Sequence, residues 1–403
     1  MAIPRARHIA DLLQVHFEDL AFLWGQRRDA LGSRRHTLRE YGELNERIEA
    51  HLQGLLVATP NELTALLQPR LDGTDRDEIF AAAYALLRST DATATRAVVI
   101  EFSRAAGPAL AGLRDALSLA PHALFAPEIQ SALDQAKTLT AASAAVVLAN
   151  QRLLDGQSPR LAQLLANAEP GVCELAWRAA TLVDAKAPQH APKRPFNDAL
   201  AHPAATVRHA GWAAAAWTAQ DRAMPLLRQF AASGDAVALH WLAVLGSEED
   251  VGALHEAALA IDDPVARCTL VARFGHPSAL NAMLRWMTDA DMALAVAAGD
   301  AFTRVTGVEV RGERRVLPLP DDADAFTREM APDVWLPDVS KARALMERHG
   351  ADWAAGTRWC KGLRVDGEVA RDLLLQLDLE ARWEVAARAA MQGRMVSAPA
   401  PVH

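Results

Sequence analysis

His255-Glu256 is the first pair of residues in this chain whose types could do chemistry, because it begins like the helix signature of zinc proteases. In that signature a second histidine follows four residues after the first, so that both imidazoles lie on one face of a helix and bind the same ion. Position 259 is Leu259, and the second ligand is therefore missing. The sequence argues against a zinc protease.

Three further histidines lie close together in the sequence, at His190, His202 and His209. Proline-rich sequence separates the first two, and no cysteine or carboxylate completes a regular ligand spacing. Transition-metal sites need several such ligands on one short element or at a fixed spacing. We expect no metal ion to be held here.

The acidic residues Asp321, Asp322 and Asp324 resemble the start of a calcium-binding loop. The glycine and the closing glutamate of such a loop are absent at the required spacing, which favours a solvated acidic loop. The chain also contains no phosphate-binding loop, no GxGxxG turn and no GxSxG nucleophile turn. We therefore expect a protein without catalytic residues and without a cofactor.

The three cysteines, Cys173, Cys268 and Cys360, are widely spaced, which predicts buried free thiols in a reducing compartment. The first eight residues lack a long apolar core, and no run of 18 or more apolar residues follows. These features predict neither a signal peptide nor a membrane span, and hence a cytoplasmic protein without a membrane partner.

A helix-turn-helix pattern that returns at a nearly fixed spacing must position these histidines and two of the cysteines, Cys173 and Cys268. Pro170–Ala179 aligns with Ala205–Ala214 at a shift of 35, so that Trp177 coincides with Trp212. Trp241 and Leu270 follow in the same place at intervals of 29. A period of about 30 to 45 residues built from paired helices is typical of an α-solenoid, in which each unit buries its apolar face against its neighbours. The repeated Trp residues are therefore predicted to pack between units.

The predicted fold is all-α: an α-solenoid of helical repeats with a helical N-terminal region and a short helical C-terminal region. Apolar periodicity predicts a pair of long helices at the start, and Pro-rich sequence that cannot continue a helix marks an irregular connection late in the chain. The predicted regions are a long-helix pair (1–58), a helical region of degenerate repeats (59–160), the repeat array (161–307), an irregular loop or linker (308–338), C-terminal helices (339–392) and a flexible tail (393–403).

Composition and charge limit the kind of partner. The chain has 403 residues, is about half apolar and carries a net charge of −8, which is typical of a folded globular protein. An acidic chain lacks the basic face that phosphate binding usually needs. We expect no nucleic-acid partner, and this also argues against a helical-repeat DNA glycosylase.

The second helices of the repeats are predicted to carry the partner surface. When these helices are aligned, Gln229, Glu256 and Arg285 fall in register, and Arg228, His255 and Leu284 directly precede them. Polar side chains repeated at this period form a ladder along one face of a solenoid. The candidate partner-binding residues are Arg228, Gln229, His255, Glu256, Arg285 and Trp335, the last in the irregular segment after the array.

Four segments carry a resemblance to a known family: Glu49–Ala58, Ala301–Gly307, Trp335–Asp338 and Gly356–Trp359. They resemble an uncharacterised family of bacterial HEAT-like-repeat proteins over nearly the whole chain. Its members are often encoded near type VI secretion genes and have no assigned activity. The resemblance implies HEAT-like repeats and an accessory role in that secretion system, for example holding a cargo or a sheath component.

The function predicted from the sequence is a non-enzymatic protein-binding scaffold or adaptor, with type VI secretion as its setting. An immunity protein that neutralises a cognate toxin is the alternative, since it would also act by binding one protein. A helical-repeat enzyme similar to a DNA glycosylase is the third possibility. Partner identity and oligomeric state are left open.

Overall fold

The computed structural model describes residues 5–317, 324–330 and 333–400 of the chain. The chain is mostly helical, and the strands in the described residues are short, as the sequence predicts for an all-α protein. Its contacts divide it into two compact units. The first comprises Met1–Ala219, Asp378–Trp383 and Gly393–His403, and the second comprises Gln220–Leu377 and Glu384–Gln392. The division at Ala219 falls inside the predicted repeat array (161–307).

Twelve α-helices are formed by the described residues in the main segment of the first unit. They are α1 (Arg5–Ala30), α2 (Leu38–Leu55), α3 (Pro60–Leu67), α4 (Arg76–Arg88), α5 (Ala92–Arg104), α6 (Gly107–Leu119), α7 (Ala126–Gln135), α8 (Thr138–Asn150), α9 (Pro159–Leu165), α10 (Pro170–Asp184), α11 (Phe196–Leu200) and α12 (Ala205–Trp217).

Helix starts in the first unit are set by short polar side chains. Thr37 accepts a hydrogen bond from the amide of Glu40, and the Glu40 carboxylate accepts one from the amide of Thr37. Asp75 and Asp91 accept hydrogen bonds from the first amides of α4 and α5. These amides have no partner inside the helix, so such caps determine where each helix begins.

Every second helix from α4 to α12 contributes to a continuous row at the core of the first unit. Helices α4, α6, α8, α10 and α12 contact one another in that order, while α7, α9 and α11 each contact a neighbouring member of the row. Residues Thr140 to Ala149 of α8 are all buried, in keeping with a sequence in which Thr140 and Ser143 alone interrupt Ala, Val and Leu. Helices α1 and α2 pack on each other, and α1 also packs on α4.

The described residues of the second unit form the remaining α-helices and four short strands. In chain order they are α13 (Met224–Ala232), α14 (Ala236–Leu245), α15 (Val251–Ala260), α16 (Pro264–Phe274), α17 (Leu280–Trp286), α18 (Met292–Thr306), β1 (Arg311–Val316), α19 (Ala325–Glu329), β2 (Asp333–Pro337), α20 (Val339–Ala354), β3 (Trp359–Cys360), β4 (Leu363–Arg364), α21 (Arg371–Gln376) and α22 (Leu379–Met391), whose first turn belongs to the first unit.

Helix pairs also alternate in the second unit. Helices α14, α16 and α18 contact one another in order, and α13, α15 and α17 each pack on the helix that follows. Asp235, Asp263 and Asp291 cap α14, α16 and α18 through hydrogen bonds from their first amides. An aspartate directly before each of α14, α16 and α18 explains why these three helices begin where they do.

The repeated Trp residues are buried, as their spacing predicts. Trp177 and Trp212 are each 1% exposed and Trp241 is 6% exposed, while Leu270 occupies the corresponding buried position in α16. Arg208 donates to the carbonyl oxygens of His202 and Pro203 in the turn before α12, the helix that carries it.

The segment 308–338 differs from the predicted irregular loop. Strands β1 and β2 form an antiparallel ribbon there, and β3 and β4 form a second small hairpin farther on. The sequence indicates only a short extended excursion at 308–310 and 315–317, because the sequence of β1, Arg-Gly-Glu-Arg-Arg-Val, has no alternating apolar face. The pairing of β1 with a strand about twenty residues later creates the ribbon, and local sequence does not encode it.

Candidate functional site

The predicted ladder positions on α13, α15 and α17 are exposed. Gln229, Glu256 and Arg285 each face away from the core. In all three helices the residues two before and two after are buried, and they are Leu227 and Ala231, Leu254 and Ala258, and Met283 and Met287. Residues two apart on a helix point about 200° apart, so a residue flanked in this way lies opposite the buried side. The shared register was readable from the sequence.

Arg228 has a different place from its neighbours in the ladder. Its Nε donates to Asp250 Oδ1 at 2.8 Å and its Nη2 to Asp250 Oδ2 at 3.1 Å, and Nη2 also pairs with Glu249. The hydrogen bond to Asp250 is the main cause that raises the pKa of Arg228. Asp250 is 4% exposed and also accepts from the amide of Ser247. Arg228 therefore links α13 to the start of α15, and its charge is largely neutralised.

His255 is half-buried on α15, and burial lowers its pKa below the usual value. His276 behaves in the same way: burial lowers its pKa first, Glu248 opposes this, and His255 and Arg358 lower it further. Both imidazoles are therefore neutral at pH 7, and each can donate or accept a hydrogen bond without adding charge to this surface.

Trp335, the last predicted site residue, lies on β2 and is 44% exposed. The guanidinium carbons of Arg311 and Arg314 lie 5.9 Å and 5.7 Å from its ring centre. Both arginines are themselves half-exposed, and they form ion pairs with Glu309 at 3.1 Å and Asp333 at 3.3 Å. A large aromatic side chain is thus uncovered and flanked by two cations.

A register shift brings the two arginines to the same ring. Arg311 pairs with Pro337 and Arg314 with Trp335, so β1 has one more residue than β2 between these two positions. Successive strand residues point to opposite faces, and residues three apart would lie on opposite faces of a regular strand. The extra residue corrects this difference, as a bulge does. Sequence reasoning missed both arginines for this reason.

The ribbon is fixed at its base. The amide of Asp338 donates to the carbonyl oxygen of Val310 at 2.6 Å. A Cβ on Gly299 of α18 would lie 3.0 Å from the Cβ of Pro337, so the end of β2 rests on the helix where it has no side chain. Trp335 is therefore presented from a supported strand.

Other large apolar side chains are exposed at the opposite end of the ribbon. Val316, which pairs with Asp333, is 47% exposed, and the connection that follows carries Phe326 at 70% and Met330 at 63%. Isolated exposed apolar residues are normal on protein surfaces, whereas several in one segment are typical of contact surfaces. The ribbon segment is thus richer in exposed apolar side chains than its charged sequence suggests.

Of the histidines and aspartates considered above as metal ligands, those that the structure describes are exposed or half-buried. His190 and His209 are exposed, and His202 accepts a hydrogen bond from the amide of Ala204. Asp324 is exposed, whereas Asp321 and Asp322 lie outside the described residues. Among the residues that the structure describes, no group of three or more His, Cys, Asp or Glu side chains could hold a metal ion.

The first unit has an open cavity of about 680 Å³ beside α3 and α5. Its lining includes the acidic residues Asp72, Asp91 and Glu101, and Asp91 is also the N-cap of α5. No histidine, cysteine or lysine is found among the described residues that line it. Among the described lining residues, the cavity thus offers carboxylates and the hydroxyls of Thr64 and Thr93 without an imidazole, thiol or amine beside them.

Comparison of the chain with models of protein families found no match, and no curated protein matched it. Within the described part of the chain, no helix has both the length and the apolar character needed to cross a membrane.

Proposed function

We propose that the chain is a non-enzymatic protein-binding scaffold or adaptor and that the second unit provides its partner surface. The observation that carries the proposal is Trp335, which is half-exposed on a supported strand with the guanidinium groups of Arg311 and Arg314 beside its ring. Trp and Arg supply a large share of the binding energy at protein interfaces, because they bury much area with few rotatable bonds and keep polar groups at the rim.

The chemistry around Trp335 favours a partner with an apolar side chain and a nearby carboxylate. The apolar side chain would cover the indole, and the carboxylate would replace Glu309 or Asp333 on one of the arginines. Exposed ion pairs contribute only about 0–1 kcal/mol, so this exchange costs little. Gln229, Glu256 and Arg285 would extend the same kind of contact along α13, α15 and α17, with His255 beside them and Arg228 holding the helices in place.

The array of helix pairs is proposed to be a solenoid of HEAT-like repeats. The ordered contacts of α4, α6, α8, α10 and α12, and those of α14, α16 and α18, support this arrangement in each unit, as do the Trp residues at corresponding places. Repeats of this type suit a scaffold because each unit exposes the same face of its second helix. On the family resemblance alone, we propose a cytoplasmic accessory role in type VI secretion.

The test is affinity purification of the full chain from bacteria that produce it, followed by mass spectrometry of bound proteins. Trp335→Ala should lose the main partner, because the indole supplies the apolar anchor. Phe22→Ala is the matched control, since Phe22 is an exposed aromatic residue of the first unit, 63% exposed. Retention of every partner by Trp335→Ala would remove this surface from the proposal.

The same experiment separates a scaffold from an immunity protein. A single toxin bound one-to-one, with rescue of cells that express it, would identify the chain as an immunity protein. Recovery of secretion components without such rescue would favour the scaffold.

A further inference from the structure

Strand β1 has an open edge. Among the described residues β2 is its only strand neighbour, whereas β2 also lies against α18, where Pro337 rests on Gly299. Every residue of β1 except Gly312 is exposed. The open edge of a strand presents a row of amides and carbonyls, on which an extended segment of another protein can pair as an added strand.

The register shows which backbone groups face this edge. The amide of Asp338 donates to the carbonyl oxygen of Val310, so these two residues are hydrogen-bonded to each other. Hydrogen-bonded and non-hydrogen-bonded positions alternate along an antiparallel pair, so Trp335 and its partner Arg314 are a non-hydrogen-bonded pair. The amides and carbonyls of Arg314 and, two residues later, Val316 therefore point away from β2.

The charge of β1 selects what can pair with it. The strand has three arginines and one glutamate, a net charge of +2. Like charges directly opposite each other destabilise a strand pair, so a second copy of β1 is repelled. An acidic segment is attracted to the same edge.

The face that carries Trp335 determines which side chains the added strand needs. Directly paired residues share a face, so Arg314 lies beside Trp335, and Val316 follows on the same face. Arg315 lies on the other face, where Glu313 binds its guanidinium group at 2.8 Å. A carboxylate opposite Arg314 and a large apolar side chain two residues away would therefore meet a cation and the indole on one face.

We infer that the open edge of β1 binds an extended acidic segment of the partner as an added antiparallel strand, with an apolar side chain of that segment on Trp335. The inference rests on the proposed function, because it names how the partner reaches Trp335. The outward backbone groups of Arg314 and Val316 provide hydrogen bonds for any sequence, and the arginines and the indole select acidic and apolar side chains. The antiparallel direction is the one that β1 already has with β2 and is slightly more stable per residue.

The test is binding of a fluorescently labelled peptide to the full chain, measured by fluorescence anisotropy. The peptide has about nine residues, within the usual length of a strand, with leucine and aspartate in turn at every second position and threonine between them. We expect saturable binding, and lysine in place of both aspartates should weaken it by at least about tenfold, because like charges would meet on β1. Equal binding of the two peptides, or no saturable binding of the aspartate peptide, would overturn the inference.

A pair of variants at Val316 tests the backbone contact. Val316→Pro removes an outward amide, and Val316→Ala keeps it. Edge strands accept proline where the amide faces away from the neighbouring strand, so β1 should remain paired with β2. Val316→Pro should bind the aspartate peptide about fivefold or more weakly than Val316→Ala, because a backbone hydrogen bond is lost. Equal affinity of these two variants would exclude strand addition.

A charge exchange tests the same edge without proline. Arg314→Glu should reverse the preference, so that the lysine peptide binds more tightly than the aspartate peptide. Arg315→Glu, the same change on the other face of β1, should keep the preference for aspartate. Circular dichroism confirms that each variant is folded. The same preference in both variants would contradict the inferred arrangement.

Affinity purification with these variants separates the inference from the proposed function. Loss of the main partner by Trp335→Ala and Val316→Pro, with retention by Val316→Ala, would support strand addition. Loss by Trp335→Ala with retention by Val316→Pro would leave the proposed surface in place and overturn strand addition. Retention of every partner by Trp335→Ala would remove both.

Discussion

The guanidinium carbon of Arg358 lies 4.2 Å from the centre of the Phe274 ring. Its Nη1 and Nη2 atoms donate to the carbonyl oxygens of Val244 at 2.9 Å and Ala243 at 2.8 Å, and the residue is 5% exposed. These carbonyls belong to the last turn of α14, where no amide of the helix can reach them. One buried arginine therefore joins the segment before β3 to the ends of two helices of the second unit.

Replacing Arg358 should destabilise the chain strongly. Arg358→Met is expected to lower the free energy of unfolding by about 2–4 kcal/mol, because two buried carbonyls lose their donors and the Phe274 ring loses its cation. Arg358→Lys should recover only part of this, since an ammonium group lacks the planar fork that reaches both carbonyls. Urea denaturation followed by circular dichroism measures the change. Arg343→Met, at an exposed position of α20, serves as the control, and an equal effect of both methionine variants would contradict the prediction.

Protonation of Asp366 should make the free energy of unfolding depend on pH in the acidic range. Burial tends to raise its pKa, but hydrogen bonds from Arg364 and from the amide and hydroxyl of Thr357 outweigh this and lower the pKa to about 2. The side chain of an aspartate in an unfolded chain has a pKa of about 3.9. The folded chain thus gains stability from this carboxylate above pH 4, and loses that gain as the pH falls from about 4 to about 2.

Asp366→Asn is expected to be less stable at pH 7 by about 1–2 kcal/mol, because the amide cannot accept all of these bonds as strongly. Between pH 4 and pH 2 it should lose less stability than the unchanged chain does. Urea midpoints recorded across this range test both points. Asp372→Asn, at an exposed position nearby, should follow the unchanged chain. Parallel pH curves for Asp366→Asn and the unchanged chain would count against this account.

Two glycines on different helices should respond to alanine with opposite signs. A Cβ at Gly112 of α6 would lie 2.5 Å from the carbonyl oxygen of Arg76 and 3.1 Å from the Cβ of Ile79. Gly112→Ala should lower the free energy of unfolding by about 1–3 kcal/mol, because α4 and α6 would have to separate. Gly42→Ala in α2 meets no atom within 4 Å and should raise it by about 0.5–1 kcal/mol, since alanine loses less backbone entropy in a helix. Thermal unfolding of both variants measures these changes. A change of the same sign in the free energy of unfolding of both variants would refute the packing argument.

The cysteines should resist thiol reagents in the folded chain. Cys173, Cys268 and Cys360 are all buried, as the sequence predicts, and none of the three forms a disulfide. Burial, opposed in part by Arg267, raises the pKa of Cys268 to about 12, so its thiol is protonated at pH 8 and is a poor nucleophile. We expect a disulfide reagent at pH 8 to modify the native protein at least about tenfold more slowly than the protein in denaturant. Rapid modification of Cys268 without denaturant would show that α16 opens readily.

Charge reversal on α15 and α17 tests the ladder without disturbing the core. Glu256→Arg and Arg285→Glu change exposed side chains, and each should weaken partner binding by about tenfold or more if charge complementarity contributes. Arg228→Glu is unsuitable for this purpose, because it would also break the ion pair with Asp250. Lys341→Glu on the exposed side of α20 is the control for net charge. Unchanged affinity of the double variant at Glu256 and Arg285 would place the partner elsewhere.

Local sequence accounted for most helix ends. Asp235, Asp263 and Asp291 stand directly before α14, α16 and α18, and Gly275 and Gly307 directly follow α16 and α18. Aspartate caps, glycines after helices and the apolar period of 3.6 act over a few residues, so they can be read from the chain directly. The exposure of Gln229, Glu256 and Arg285 follows from the same period.

Contacts between residues that are distant in the sequence could not be predicted from local patterns. The ion pair of Arg228 with Asp250, the ribbon that sets Arg311 and Arg314 beside Trp335, and the approach of the His16 ring to the His51 ring each join residues about 20 to 35 positions apart, and no local pattern favours one pairing over another. The amino-acid sequence by itself determined the helices, their caps and their buried faces, because these depend on near neighbours. Only the tertiary structure decided which charges are neutralised, which aromatic ring is uncovered and which imidazoles meet, because packing of separate elements selects those pairs.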